Sequence, residues 1–200
     1  MKVCIETQRL LLRELTKNDL TAVHEYASDP EVTRYMLWGP NTEEETRLFI
    51  RRTVEAQEKD PRVNFNLLAV LKVEKKVIGG CGLDYSPTTL EGRFGYLLNR
   101  KYWNMGYAIE MANGLVNFGF ETLHLHRIVA TCDVGNLASA HVIEKAGLIL
   151  EGCLRENVKK RDEWRSSYIY AILESEWKVN KLRIFPPVGV DGNKSGPSRT

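Results

Sequence analysis

No stretch of this chain approaches the roughly 20 consecutive apolar residues that a membrane-crossing helix needs. The short apolar run in the opening MKVCIETQRLLLREL is broken by Arg13 and Glu14, and no small-residue cleavage site follows it. The expectation is an uncleaved cytoplasmic chain with no membrane partner. Charge of one sign is also missing. The 28 basic and 26 acidic side chains leave a formal +2, whereas a dedicated nucleic-acid binder usually carries a one-signed stripe, so no nucleic-acid partner is expected. Cys4, Cys81, Cys132 and Cys153 form no C-x-x-C pair and read as free thiols that pack like small hydrophobes. His124 and His126 would share one face of a strand, but no acidic or sulfur partner is spaced to join them. No metal site is expected. Neither GxGxxG nor GK[ST] occurs, which excludes a dinucleotide fingerprint and a Walker loop.

What is present suits one domain with a loose end: 200 residues, 43% of them apolar. Residues 7 to 15 read as a first strand. Asp19 is placed to cap a helix over 20 to 28, which Asp29-Pro30 ends, and Pro30-Glu31-Val32 opens a further helical turn. Thr42 with Glu45 forms a capping box for a helix to about residue 59, with Phe49, Ile50 and Val54 on its apolar side. Asn66 to Leu71 and Val77 to Leu83 read as a hairpin, and Gly92 to Leu98 as a further strand. The apolar period then changes to helical between Gly106 and Gly119. Arg127 to Cys132 is a β-branched strand, and Ser139 to Ala146 a short helix closed by Gly147. Strands over 148 to 154 and 167 to 173, joined by a charged stretch around Lys159 to Glu163, complete an α+β domain of residues 1–178. Residues 179–200, rich in Pro, Gly and Ser, are expected to form a tail outside the core.

The informative segment is RFGYLLNRKYWNMGYAIEMANGLVN, Arg93 to Asn117. A strand ends near Leu98 and glycine enters just before a helix. Gly106 lets backbone amides approach a ligand without an intervening Cβ. The helix start behind it offers unpaired N–H groups and a favourable dipole end, which suit a phosphate or pyrophosphate. An ordinary strand-to-helix turn that happens to use glycine stands beside that reading.

Tyr102-Trp103-Asn104-Met105-Gly106-Tyr107-Ala108-Ile109-Glu110 resembles the pyrophosphate loop of the Gcn5-related N-acetyltransferase (GNAT) superfamily, in the RimJ/RimL-like branch of ribosomal-protein alanine acetyltransferases. Trp103 stands where the superfamily has Gln or Arg, and Met105 where the branch often has a basic residue. Thr7 to Arg13 resembles the branch's opening T-x-R-L-x-L-R strand, and Asp29-Pro30-Glu31-Val32 its DP-x-V element. Asn136-x-x-Ser139, Glu144-Lys145-x-Gly147-Leu148 and Leu150-Glu151-Gly152 resemble its N-x-x-S, E-K-x-G-F and L/F-E-G segments. The resemblance spans roughly residues 6 to 175. It implies a mostly antiparallel sheet with helices on both faces and a parallel strand pair that splays at the cofactor site.

It also implies acetyl-coenzyme A as the acetyl donor and a primary amine as acceptor, joined by direct attack in a ternary complex. Tyr96, Leu97 and Leu98 would hold the pantetheine arm. Trp103, Asn104, Met105, Gly106, Tyr107 and Ala108 would hold the pyrophosphate, with Asn136 and Lys145 as further cofactor contacts. Ser139 is the implied proton donor to the departing thiolate, although Asn136 and Ser139 at a loop-to-helix junction also fit simple capping. Tyr168 and Tyr170 are rival donors. Glu156 is the candidate base, with Val158 as the alternative holder of that position and water-mediated deprotonation as a second route. The acceptor is read as a protein N-terminus, with a small amine, polyamine or antibiotic as the alternative. A non-catalytic acyl-coenzyme A-binding regulator is the reading from another class. A monomer and a homodimer are both compatible.

Overall fold

The computed structural model describes residues 2–160 and 162–184. Eight strands form one sheet: β1 (Cys4–Glu6), β2 (Leu10–Glu14), β3 (Asn64–Leu71), β4 (Lys76–Ser86), β5 (Glu91–Leu98), β6 (Arg127–Asp133), β7 (Ile149–Lys160) and β8 (Glu163–Leu173). Their order across the sheet is β1-β2-β3-β4-β5-β6-β8-β7. Every neighbouring pair is antiparallel except β5 and β6, which run parallel. Five helices accompany them: α1 (Leu20–Ala27), α2 (Glu43–Gln57), α3 (Tyr107–Glu121), α4 (Leu137–Lys145) and α5 (Glu174–Ile184). The last of these crosses residue 178, and residues 185–200 of the expected tail lie outside the described residues.

Strand side chains alternate between faces, and this alternation sorts the core into two layers. Leu67, Leu83, Phe94 and Ile128 pack with Met111, Leu115 and Ile143 of α3 and α4. Leu68 and Leu97 face the other way, against Val23 and Tyr26 of α1 and Ile50 of α2. The helices therefore cover both faces, as the resemblance implies. At the start of α2, Thr42 Oγ1 accepts from Glu45 N–H at 3.3 Å, and the Glu45 carboxylate accepts from Thr42 N–H at 2.7 Å. The expected capping box is formed.

Four expectations are corrected. Residues 7 to 15 are not one strand, because Thr7 N–H donates to the Leu10 carbonyl and Leu10 N–H donates to Thr7 Oγ1, both at 3.0 Å, and these bonds turn the chain between β1 and β2. Asp19 does not cap α1 with its side chain. Its carboxylate accepts instead from Arg13, at 2.7 and 2.9 Å, and from Thr16. Phe49 is 42% exposed and turns toward a cavity, not into the core. The closing strands run much longer than expected, since the charged stretch pairs with itself as a hairpin beyond the sheet, for example Val158 with Arg165 and Lys159 with Trp164. A hairpin that covers no core needs no apolar face, so period-based reading ends the strands early.

One polar knot ties the first strands to α3. Glu110 Oε1 accepts from Thr7 Oγ1 and Arg9 N–H, both at 2.6 Å, and from Leu10 N–H at 3.2 Å, while Oε2 accepts from Arg9 Nε at 2.7 Å. Arg9 continues to the Met105 carbonyl at 2.9 Å and lies over the Tyr107 ring, 4.4 Å from its centre. Burial pushes the Glu110 carboxyl upward, but the bonds from Thr7 and Arg9 outweigh it and hold the group below the usual carboxylate range. A lowered folded pKa adds stability that is fully present above the unfolded value and is lost as pH falls through the folded one. Glu110→Gln is therefore expected to cost about 1–3 kcal/mol near neutrality, with the gap to the parent narrowing in acid; urea midpoints across a pH series measure it. Leu115→Ala, at a fully buried site of α3, is expected to cost about 2–5 kcal/mol. Phe49→Ala should change the same midpoint by under about 1 kcal/mol, since the ring leaves water only in part.

Candidate active site

The parallel pairing of β5 and β6 lasts three residues: Glu91 with Arg127, Gly92 with Ile128 and Arg93 with Val129. Beyond Arg93, β5 stays bonded to β4 as far as Leu98, and beyond Val129, β6 stays bonded to β8 as far as Asp133. Neither strand is free to swing toward the other. Residues 94–98 therefore keep one backbone edge without a strand partner, open to the gap. The far end of β5 is anchored as well: Trp103 Nε1 donates to the Leu98 carbonyl at 2.7 Å and Asn99 N–H to the Ile78 carbonyl at 2.9 Å.

A cavity of about 760 Å³ runs through this gap and opens on both faces of the sheet. On the α3/α4 side it meets Tyr96, Asn136, Ser139 and Ile143. Asn136 caps α4 by accepting Ser139 N–H on its side chain at 3.1 Å, so α4 begins at Leu137 and not at Ser139. That arrangement satisfies the Ser139 amide and leaves its hydroxyl available. The hydroxyl accepts from Tyr96 O–H at 3.1 Å. Desolvation pushes the Tyr96 phenol up to about 12 against the lowering effect of this bond, so it stays protonated and a donor near neutral pH. Of the rival donors, Tyr170 is buried and sends its hydroxyl to Glu144 at 3.4 Å, and Tyr168 packs edge-on against it; neither borders the cavity. Cys81 and Cys132 do border it, but desolvation pushes their thiols up to about 12 and about 11, which leaves them as neutral wall groups.

The turn before α3 carries two residues in the left-handed region, Asn104 at φ 61° and Gly106 at φ 78°. The first helical bond there is Glu110 N–H to the Gly106 carbonyl. The amides of Gly106, Tyr107, Ala108 and Ile109 precede it, so they have no intrahelical acceptor. Arg9 braces this turn from behind through the Met105 carbonyl. A pyrophosphate fits such a cradle, and the free edge of residues 94–98 fits an extended amide-bearing arm.

On the other face the chamber is roofed by residues 35–38, between α1 and α2, with Leu37 and Trp38 exposed at its rim beside Phe49. Tyr35 O–H donates to the Gly135 carbonyl at 3.0 Å, and Lys160 Nζ donates to the carbonyls of Thr33, at 3.1 Å, and Arg34. The chamber's carboxylates have basic neighbours. Asp84 stands opposite Arg93 in register, and Asp133 accepts from Arg165 at 2.8 Å.

Not every expected site residue comes together here. Leu98 is buried in the core, and only its carbonyl faces the turn. Lys145 is exposed at the opposite end of α4 from Ser139. Glu156 is exposed in a bulge of β7 at φ 47°, its N–H donating to Ser166 Oγ at 3.0 Å. It does not border the cavity, whereas Val158 does. The sequence reading missed Asn66, Asp84, Arg93 and the 35–38 roof. A signal existed: Asn64 and Asn66 alternate with apolar neighbours, and Gly80 and Gly82 share that face, a combination unsuited to a packed layer.

The match to known proteins has the same outline. Residues 9–149 match the model of the acetyltransferase (GNAT) domain family. The chain is 38% identical over 176 residues to YnaD, an uncharacterized N-acetyltransferase of Bacillus subtilis, spanning 86% of this chain and 98% of that one. It is 25% identical over 137 residues to the ribosomal-protein-serine acetyltransferase of Escherichia coli, spanning 68% and 74%. A crystal structure of a GNAT-family acetyltransferase from Bacillus anthracis superposes with a TM-score of 0.79 at 36% identity, covering 86% of this chain and 99% of the other. The splayed strand pair, the braced turn and these matches agree: the chain belongs to the GNAT acetyltransferase family and is an acetyl-coenzyme A-dependent N-acetyltransferase.

Proposed function

We propose that this enzyme acetylates the α-amine of a protein N-terminus, acting in the cytoplasm through a catalytic domain that extends past the expected boundary at residue 178 to include α5. The observation that carries this choice of acceptor is the charge balance of the chamber. Asp84 and Asp133 each lie beside an arginine, so no free carboxylate cluster is offered to a polycation, while the exposed Leu37, Trp38 and Phe49 offer apolar contact to a chain continuing outward. The ribosomal-protein-serine acetyltransferase match supports the same reading.

Acetyl-coenzyme A, when bound, supplies an acetyl group on a good leaving group. In this reading the amides from Gly106 to Ile109 and the dipole of α3 hold its pyrophosphate. Trp103, Asn104 and Met105 shape the approach to that cradle. Tyr96 and Leu97 offer the free backbone edge of β5 to the pantetheine arm and a donor to the carbonyl that gains negative charge. Asn136 fixes the start of α4 and so the position of Ser139. The Ser139 hydroxyl, held by Tyr96, gives its proton to the sulfur as the C–S bond breaks, and it regains one from solvent. The amine nitrogen forms the new C–N bond and loses its proton through water in the chamber, since Glu156 lies outside it. No side chain becomes acylated.

Ser139→Ala is expected to lower kcat about 10- to 100-fold at saturating acetyl-coenzyme A, with little change in cofactor affinity; an unchanged kcat would remove Ser139 as the donor. Thiol release measured with tetrapeptides beginning with Ser, Ala or Met, against spermidine and phenethylamine, is expected to give the highest kcat/KM with a peptide. Preference for either small amine would overturn the acceptor assignment. Incubation with radiolabelled acetyl-coenzyme A alone should leave the protein unlabelled, and a stable acetyl-enzyme would contradict direct attack.

A further inference from the structure

The floor of the acceptor chamber holds a chain of amides with a fixed sense. Asn64 and Asn66 are two apart on β3 and point to the same face. In register, Asn64 stands opposite Asp84, Asn66 opposite Gly82, and Gly82 opposite Gly95. Asn64 Nδ2 donates to Asp84 Oδ1, and Asn66 Nδ2 donates to Asn64 Oδ1 at 2.5 Å. An ionised carboxylate only accepts, so the first amide must turn its NH₂ group toward Asp84. Its oxygen then faces Asn66, which turns its own NH₂ inward and leaves Oδ1 leading away from the carboxylate. Asp84 thus sets the orientation of two amides that would otherwise be free to flip.

That last oxygen is well placed. It lies over Gly82, 2.7 Å from where a Cβ would stand, and it accepts no hydrogen bond from the described residues. Asn66, Gly82 and Gly95 all border the cavity. A Cβ on Gly95 would meet nothing within 4 Å, so the path from Asn66 across two strand spacings of roughly 4.8 Å each to the gap between β5 and β6 carries no side chain. An acceptor without a donor, held in one orientation and facing open space beside the reaction gap, matches a donor on the ligand.

We propose that Asn66 Oδ1 receives an N–H of the substrate amine and so aims the nitrogen lone pair at the acetyl carbonyl, with Asp84 acting through Asn64 as the positioning residue that sets its sense. The inference rests on the amine-acetylation reading above. An amide oxygen is too weak a base to take the proton, so its part is to select and orient a neutral amine.

The test is a double-mutant cycle with the Ser-, Ala- and Met-initiated tetrapeptides and spermidine as probes, alongside acetyl-coenzyme A affinity by calorimetry. Asn66→Ala is expected to lower kcat/KM for the amine about 10- to 100-fold with acetyl-coenzyme A affinity unchanged. Asp84→Asn, nearly isosteric and decisive even if Asn66→Ala fails to fold, should lose less. The double variant should be no worse than Asn66→Ala, because Asp84 works only through Asn66. Wild-type efficiency in Asn66→Ala, or losses that add in the double variant, or an equal loss in Asp84→Asn of acetyl-coenzyme A affinity, would overturn the proposal alone. If the parent chain acetylates none of the probes, the functional reading fails and the proposal fails with it.

Discussion

Arg93 and Val129 are the last residues at which β5 and β6 share a ladder, and the whole site depends on the parting of the two strands beyond them. A sheet normally uses both edges of an interior strand. Here two interior strands each give up one edge, while β4 and β8 hold them in place from outside. The open edges are exposed polar backbone inside the protein, a costly arrangement unless something else binds there. The cavity crosses the sheet through this gap. In the proposed reading it lets a group carried on the α3/α4 face meet a nucleophile arriving on the α1/α2 face, with no loop having to carry the reacting groups.

Around that gap the polar work is divided between rigid parts. Glu110 and Arg9 lock the β1–β2 turn to the start of α3, so the Asn104–Gly106 turn is braced by strand backbone and not left to its own loop. Asn136 spends its side chain on the cap of α4, which places Ser139 within reach of Tyr96 across the gap. Met105, where a basic residue is frequent in related loops, contributes its carbonyl to Arg9 and not a charge to the ligand. In the proposed reading, affinity for the diphosphate rests on backbone amides and the helix dipole, both fixed by folding itself.

Much of this frame was readable in the residues. Thr42 and Glu45 announce their capping box by spacing alone, and Gly106 before a helical apolar period marks the left-handed turn into α3. The order of motifs from Thr7 to Gly152 identifies the scaffold. Other parts were not legible, for physical reasons. The Phe49 spacing fits a buried helix face, and periodicity does not distinguish a core from an empty chamber. The bulge between Leu154 and Val158 shifts the register of β7, so counting along the chain places Glu156 where the fold places Val158. Ser139 reads as a helix start until Asn136 is seen to take that role. Asn66 sits in a run that reads as an ordinary strand, and its meaning appears only when β4 brings Asp84 and Gly82 alongside.

The central claim is that donor and acceptor meet through the parting of β5 and β6, from opposite faces of the sheet. Gly95 allows it to be tested without disturbing the fold, because a side chain there would enter open cavity on the acceptor face. Acetyl-coenzyme A binding and peptide acetylation should be measured side by side for Gly95→Leu. The account predicts a folded protein that binds acetyl-coenzyme A as the parent does and has lost nearly all amine acetylation. Acetylation at the parent's rate would contradict it.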